Sequence, residues 1–144
     1  MNKTLLDANV LIAAHDEAHA DHNRARLFLD GLDFFYTSPQ TQGAFLRFFT
    51  RPWRDAEGKD QPPRMTPAEA MQCLGDILAL KKHLFLPDNL PFTQVSMRSL
   101  SGFKQWNDAY LIAKAGKAGI PLATLERKLG NMDNVAKNVV FQIP

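Results

Sequence analysis

The sequence predicts an α/β fold with a mostly parallel central sheet of about five short strands flanked by helices, on three observations. Short apolar runs of β-like composition alternate along the chain with segments whose apolar residues recur at helical spacing. Alternation of this kind argues for a largely parallel sheet covered on both faces. The chain has 144 residues, 45% of them hydrophobic and spread over its whole length, enough for one core built without metals or disulfides. One domain spanning 1–144 is therefore expected.

The elements follow in order. TLLDANVLIAA opens as a β-like run and passes into helix formers, with Asp7 and Asn9 at the change, so Asp7 stands at a strand's C-terminal end. Ala25, Leu27, Phe28, Leu29 and Leu32 predict a helix over 20–32, stopping at Gly31. Phe34, Phe35 and Tyr36 form an aromatic strand ended by the turn-type cluster Thr37, Ser38 and Pro39, and TQGAFLRFFT is helical. Residues 51–67 hold four prolines, a glycine and many charges, and read as a long loop available to a substrate or partner. A helix over 66–82 starts with Thr66 as N-cap and Pro67 at the first helical position. A brief strand at 84–86, a helix through 94–100 and a helix over 107–117 ending near Gly119 come next. Strands at 120–125 and 139–143 close the chain.

Composition narrows the function. No stretch approaches the roughly 18 unbroken apolar residues of a membrane span, and the N-terminal apolar run is interrupted by Asp7 and Asn9, so neither a span nor a signal peptide is expected. The lone Cys73 cannot form an internal disulfide and sits in the apolar-periodic stretch AMQCLGDILAL, as a small buried hydrophobe would. A soluble, cytoplasmic protein is the expectation. A formal charge of +2 is compatible with a nucleic-acid substrate without requiring one.

In open parallel sheets ligands bind beyond the carboxyl ends of the strands. Three acids qualify. Asp7 follows the apolar Thr4-Leu5-Leu6, Asp108 opens the helix in WNDAYLIAKA, and Glu126 follows the strand PLATLE. Each has a structural alternative: Asp7 as a helix cap, Asp108 as an acid favoured by the helix dipole, Glu126 as a surface ion-pair partner. Independent caps need not converge, whereas these three fall where central strands finish or an adjoining helix begins. Hard oxygen ligands of this sort suit Mg²⁺ or Mn²⁺, and the chemistry implied is phosphodiester hydrolysis by a metal-activated water.

The same residues resemble the PIN-domain family, in particular the VapC toxins of bacterial toxin–antitoxin modules, over nearly the entire chain. LLDANVLIAA looks like the family's first-strand motif, which implies Asp7 as a metal ligand and Asn9 as its support. TSPQTQGAFLRFFTRP resembles the second motif, a Thr, then Glu, then Phe-x-Arg on one helix; Gln42 stands at the acidic position and Arg47 at the Arg. WNDAYLIAKAGKAGIPLATLER resembles the third and fourth motifs, with Asp108 as the helix-starting acid and a metal ligand, and Glu126 as the second acid. The resemblance implies a PIN-like three-layer fold and a metal-dependent endoribonuclease using Mg²⁺ or Mn²⁺. It implies an RNA substrate, a cognate antitoxin over the acidic cleft, and a homodimer. Two departures stand out. Gln42 puts a neutral carbonyl oxygen where the family has a carboxylate, and Glu126 is one methylene longer than the usual Asp.

Other residues weigh less. His15, His19 and His22, with Asp16, Glu17 and Asp21, read as a solvated turn and helix start rather than an imidazole metal site. Arg47, Arg51 and Arg54 interleave with Phe48, Phe49 and Trp53, either to hold RNA phosphates and stack bases or with the aromatics in the core. Trp106 reads as packing beside the Asp108 helix start. Against the nuclease stand two other functions. A degenerate PIN domain that binds RNA or protein without cutting is favoured by Gln42. An aspartyl phosphotransferase would want a second acid shortly after Asp7, where Asn9 stands, and no Gly-rich phosphate loop is present.

Overall fold

The computed structural model describes residues 2–96, 100, 102–127, 129 and 140–144. Strand β1 (Lys3–Leu6) runs into α1 (Ala8–His15) through Asp7 alone, and α2 (His22–Asp30) leads to β2 (Phe34–Thr37). Helix α3 (Pro39–Thr50) is followed by the short strands β3 (Trp53–Arg54) and β4 (Asp60–Gln61), then α4 (Pro67–Leu78) and β5 (His83–Phe85). Two 3-10 turns, Phe92–Gln94 and Phe103–Gln105, precede α5 (Trp106–Ala118), β6 (Leu122–Thr124) and β7 (Val140–Gln142).

Five of these strands form one sheet in the order β5-β2-β1-β6-β7, and every pairing in it is parallel. The period-2 alternation of strand side chains divides the sheet into two apolar faces. Leu6, Phe35 and Ala123 face one way and pack with Val10, Leu11, Ala25, Leu29, Phe45, Leu74 and Ile77 of the first four helices. Leu5, Tyr36 and Leu122, one residue along each strand, face the other way onto Leu111 and Ala115 of α5. The result is the three-layer α/β arrangement expected. Chain order reverses between β1 and β6, because β2 and β5 extend the sheet on one side and β6 and β7 on the other. A crevice opens beyond the carboxyl ends of strands at such a point.

Most predicted elements are present, with boundary shifts that have local causes. Ser38 is the N-cap of α3 and Pro39 its first residue, so the cluster read as a turn also starts the helix. A full capping box, Thr66 to the Glu69 N–H and Glu69 back to the Thr66 N–H, starts α4. That helix ends at Leu78 rather than 82, because Leu80 and His83 turn the chain through N–H bonds to Ile77 and Leu80. Gly119 ends α5 at φ 68°, a left-handed position suited to glycine.

Two expectations need correction. The long loop at 51–67 contains an antiparallel hairpin, β3 with β4. The Asp55 carboxylate accepts from the Lys59 N–H (2.8 Å), the Glu57 N–H (3.0 Å) and Gln61 Nε2 (2.9 Å), and Gly58 turns the chain at φ 77°. The helix expected through 94–100 is a 3-10 turn that has ended by Val95, whose backbone is extended; residues 97–99 lie outside the described residues. This segment is pinned to α5 instead. Buried Lys114 pairs with Asp88 and donates to the Leu86 carbonyl, while the Leu90 N–H donates to the Tyr110 hydroxyl.

Candidate active site

The site grows from the end of β1. The Asp7 N–H donates to the Ala123 carbonyl (2.9 Å), which seats its backbone on β6 while its side chain leaves the sheet at the first residue beyond the strand. Asp7 occupies the N-cap position of α1, yet its side chain makes no capping bond. The carboxylate is turned to Thr124, whose hydroxyl donates to Asp7 Oδ2 at 2.8 Å. Thr124 Oγ1 also accepts from Asn9 Nδ2 (3.2 Å) and the Glu126 N–H (3.0 Å), so its one proton and both lone pairs are used. Asn9 Oδ1 in turn accepts from the Leu125 N–H at 3.2 Å. Thr124 is wholly buried, and the Asp7–Asn9–Thr124 cluster locks the ends of β1 and β6 together.

Asp108 reaches the same place from the first turn of α5. It lines with Asp7, Gln40, Thr41 and Arg47 a cleft of about 190 Å³. Electrostatics tie the acids together. Burial raises the Asp7 pKa, opposed by the Thr124 hydrogen bond, and the charge of Glu126 adds to the rise. Asp108 is pushed up to about 6 by desolvation first, then by the charges of Asp7 and Glu126. Two carboxylates in one cleft, with the charge of Glu126 acting on both, create the negative potential that a divalent cation relieves.

The residues fit such a cation in part. Among the described residues no three His, Cys, Asp or Glu side chains are grouped to enclose a metal ion. Asp7 and Asp108 instead offer an open pair of carboxylates, the kind of site in which Mg²⁺ keeps several waters. Gln40 adds an oxygen. Its Nε2 donates to the Asn107 carbonyl at 2.8 Å, which fixes the amide orientation, and its Oε1 is buried without a partner.

The other residues singled out from the sequence are placed as follows. Glu126 is exposed and acts on the two aspartates through its charge. Arg47, exposed, lines the cleft one turn beyond Gly43. Gln42 is not among the cleft's lining residues; its Nε2 donates to Thr37 Oγ1 at 3.1 Å, and Thr37 Oγ1 lies 2.7 Å from His83 Nε2. His15 and His22 each donate Nδ1–H to a carbonyl of α1, Leu11 and Ala13, so His22 ties α2 to α1 while His15 bonds back within α1, and both are half-buried rather than solvated. Phe49 is core, Phe48 packs beside it, and Arg64 stacks over both Phe48 and Trp53 at 4.5 and 4.3 Å. Arg54 is paired with Asp60. Trp106 is 40% exposed and meets Phe92 edge-on, which is less packing than expected. Gln40 and Asn107 were not legible as site residues. Nor was Thr124 singled out, although it stands at the end of a strand two residues before Glu126.

Comparison with known proteins places this architecture. A family model described as PIN domain matches residues 4–136. Ribonuclease VapC29 of Mycobacterium tuberculosis is 36% identical over 129 residues, covering 89% of each chain. Among solved structures, VapC20 of Mycobacterium tuberculosis, a Sarcin-Ricin loop cleaving toxin, superposes with a TM-score of 0.61 at 16% identity, over 90% of this chain and 95% of that one. VapBC-5 of Mycobacterium tuberculosis, from the VapBC family of toxin-antitoxin systems, gives 0.55 at 19% identity, over 99% and 98%. The chain belongs to the PIN-domain family. Its curated relatives within that family are VapC ribonucleases.

Proposed function

We propose that this chain is a metal-dependent endoribonuclease of the VapC toxin type, hydrolysing RNA phosphodiester bonds and restrained by a cognate antitoxin. The observation that carries the reading is the meeting of Asp7, from the end of β1, and Asp108, from the start of α5, in one cleft at the point where strand order reverses. Family membership and the ribonuclease relative point the same way. The structural neighbour from the VapBC family of toxin-antitoxin systems supports the antitoxin. The functional unit on this reading is the whole of 1–144, acting in the cytoplasm as a homodimer.

The residues take these roles. Asp7 and Asp108 would hold Mg²⁺ or Mn²⁺ by carboxylate oxygens. When bound, the cation supplies positive charge against the phosphoryl oxygens and lowers the pKa of a neighbouring water. Thr124 and Asn9 keep Asp7 in one rotamer, so its charge is set before substrate arrives. Arg47 on the cleft wall meets an RNA phosphate. Glu126, exposed and near enough for its charge to act on both aspartates, would orient the attacking water and receive its proton. Gln42 supports the end of β2 through its bond to Thr37 rather than binding cation itself.

The test is cleavage of structured RNAs by the purified, antitoxin-free protein with Mg²⁺, Mn²⁺ or EDTA, and with Asp108→Asn as contamination control. Cleavage that needs both metal and Asp108 is the expected result. RNA binding without cleavage, with the fold intact, would replace this reading by that of a degenerate domain.

A further inference from the structure

Gln42 occupies the position where a carboxylate was expected, and its amide is turned to Thr37. The cleft therefore has one oxygen fewer than the motif pattern implies. Two residues earlier, on the same first turns of α3, Gln40 lines the cleft that Asp7 and Asp108 share. Its side chain is not free to turn. The Nε2 donates to the backbone carbonyl of Asn107, the residue before Asp108, at 2.8 Å, and a carbonyl can only accept. The amide is thus fixed, and the other end must be Oε1. That oxygen is buried and, among the described residues, is the buried side-chain polar atom without a hydrogen-bond partner.

An unsatisfied buried acceptor is unfavourable unless something donates to it or coordinates it. No carboxylate neighbour can do so, since Asp7 and Asp108 are acceptors when ionised. A cation drawn by those two charges can. We propose that Gln40 Oε1 is the third protein oxygen of the divalent-cation site, taking the place left by Gln42. The Asn107 clamp makes the donor specific to this arrangement: it couples the start of α3 to the start of α5, so the oxygen and the Asp108 carboxylate are positioned by one contact. This rests on the reading of Asp7 and Asp108 as cation ligands.

Calorimetric titration of the RNA-free protein with Mn²⁺ tests it, comparing wild type with Gln40→Met, Gln40→Glu and Asp7→Asn. Gln40→Met keeps the volume and removes the oxygen, and should weaken binding by about tenfold, the size of one lost polar contact. Gln40→Glu keeps an oxygen and adds charge but loses the donation to the Asn107 carbonyl, and should bind more tightly than Gln40→Met; should Gln40→Met fold poorly, Gln40→Leu takes its place in that comparison. Asp7→Asn should abolish binding. If Gln40→Met binds within twofold of wild type while Asp7→Asn does not bind, Gln40 Oε1 is satisfied by water alone and the inference fails, with the aspartate site standing. Weaker binding by Gln40→Glu than by Gln40→Met contradicts it as well. No Mn²⁺ binding by the wild type overturns both.

Discussion

Thr124 shows how much of the site depends on one hydroxyl. Its proton goes to Asp7 and its lone pairs to Asn9 and the Glu126 N–H. Thr124→Val leaves three groups short of a partner in a buried place and should cost about 1–3 kcal/mol in denaturant unfolding, while Thr124→Ser should keep most of it. Equal stability for Val and Thr would show that the cluster contributes little. Asp108 carries a pH signature. Its pKa in the folded protein is about 6 against an ordinary 3.8, so the folded state binds the proton more tightly than the unfolded one. The resulting stability is full below about pH 4 and is lost as pH rises through about 6. In EDTA, unfolding free energy should therefore fall over that interval by roughly 1 kcal/mol, after discounting for screening of a half-exposed carboxylate. Asp108→Asn should flatten the profile, and an unchanged profile in that variant would assign the effect elsewhere.

Among the elements, α4 is the one whose limits the sequence states best at its start and worst at its end. Thr66-Pro67-Ala68-Glu69 spells a capping box that forms with both bonds present. Thr66→Ala should cost about 1 kcal/mol of stability and leave RNA cleavage unchanged, as measured by melting and by rate. A loss of cleavage with stability intact would bring α4 into the site. The end of α4 and the failed helix at 94–100 share a cause. Both were read from apolar spacing, which cannot register that the chain is held by tertiary contacts, here the Leu80 turn and the anchoring of 86–90 to Lys114 and Tyr110. The β3–β4 hairpin was hidden because two-residue strands carry no period; its signal was Asp55 and Gly58.

For the whole molecule, the parallel sheet was legible because its strands are short, apolar on both faces and separated by helices. Leu5 and Leu6 facing opposite cores is that pattern in two residues. The aspartates were legible because Asp7 interrupts an apolar run and Asp108 begins a helix. Gln40 was not, since a glutamine in a helix has no distinguishing pattern until its partner, the Asn107 carbonyl, is brought to it by folding from 67 residues away. The Gln40–Asn107 contact joins α3 to α5 beside the site, so cation binding there should raise the melting temperature of the protein and EDTA should lower it.

The central claim is that Asp7 and Asp108 form a cation-dependent reactive centre. It is tested most directly by single-turnover cleavage of an RNA by wild type and Asp7→Asn at matched folding, in Mn²⁺ and then in EDTA. The substitution, which removes charge and little volume, should lower the rate on the order of a hundredfold or more, to the level of the EDTA control. An Asp7→Asn protein that cuts RNA as fast as wild type would contradict it.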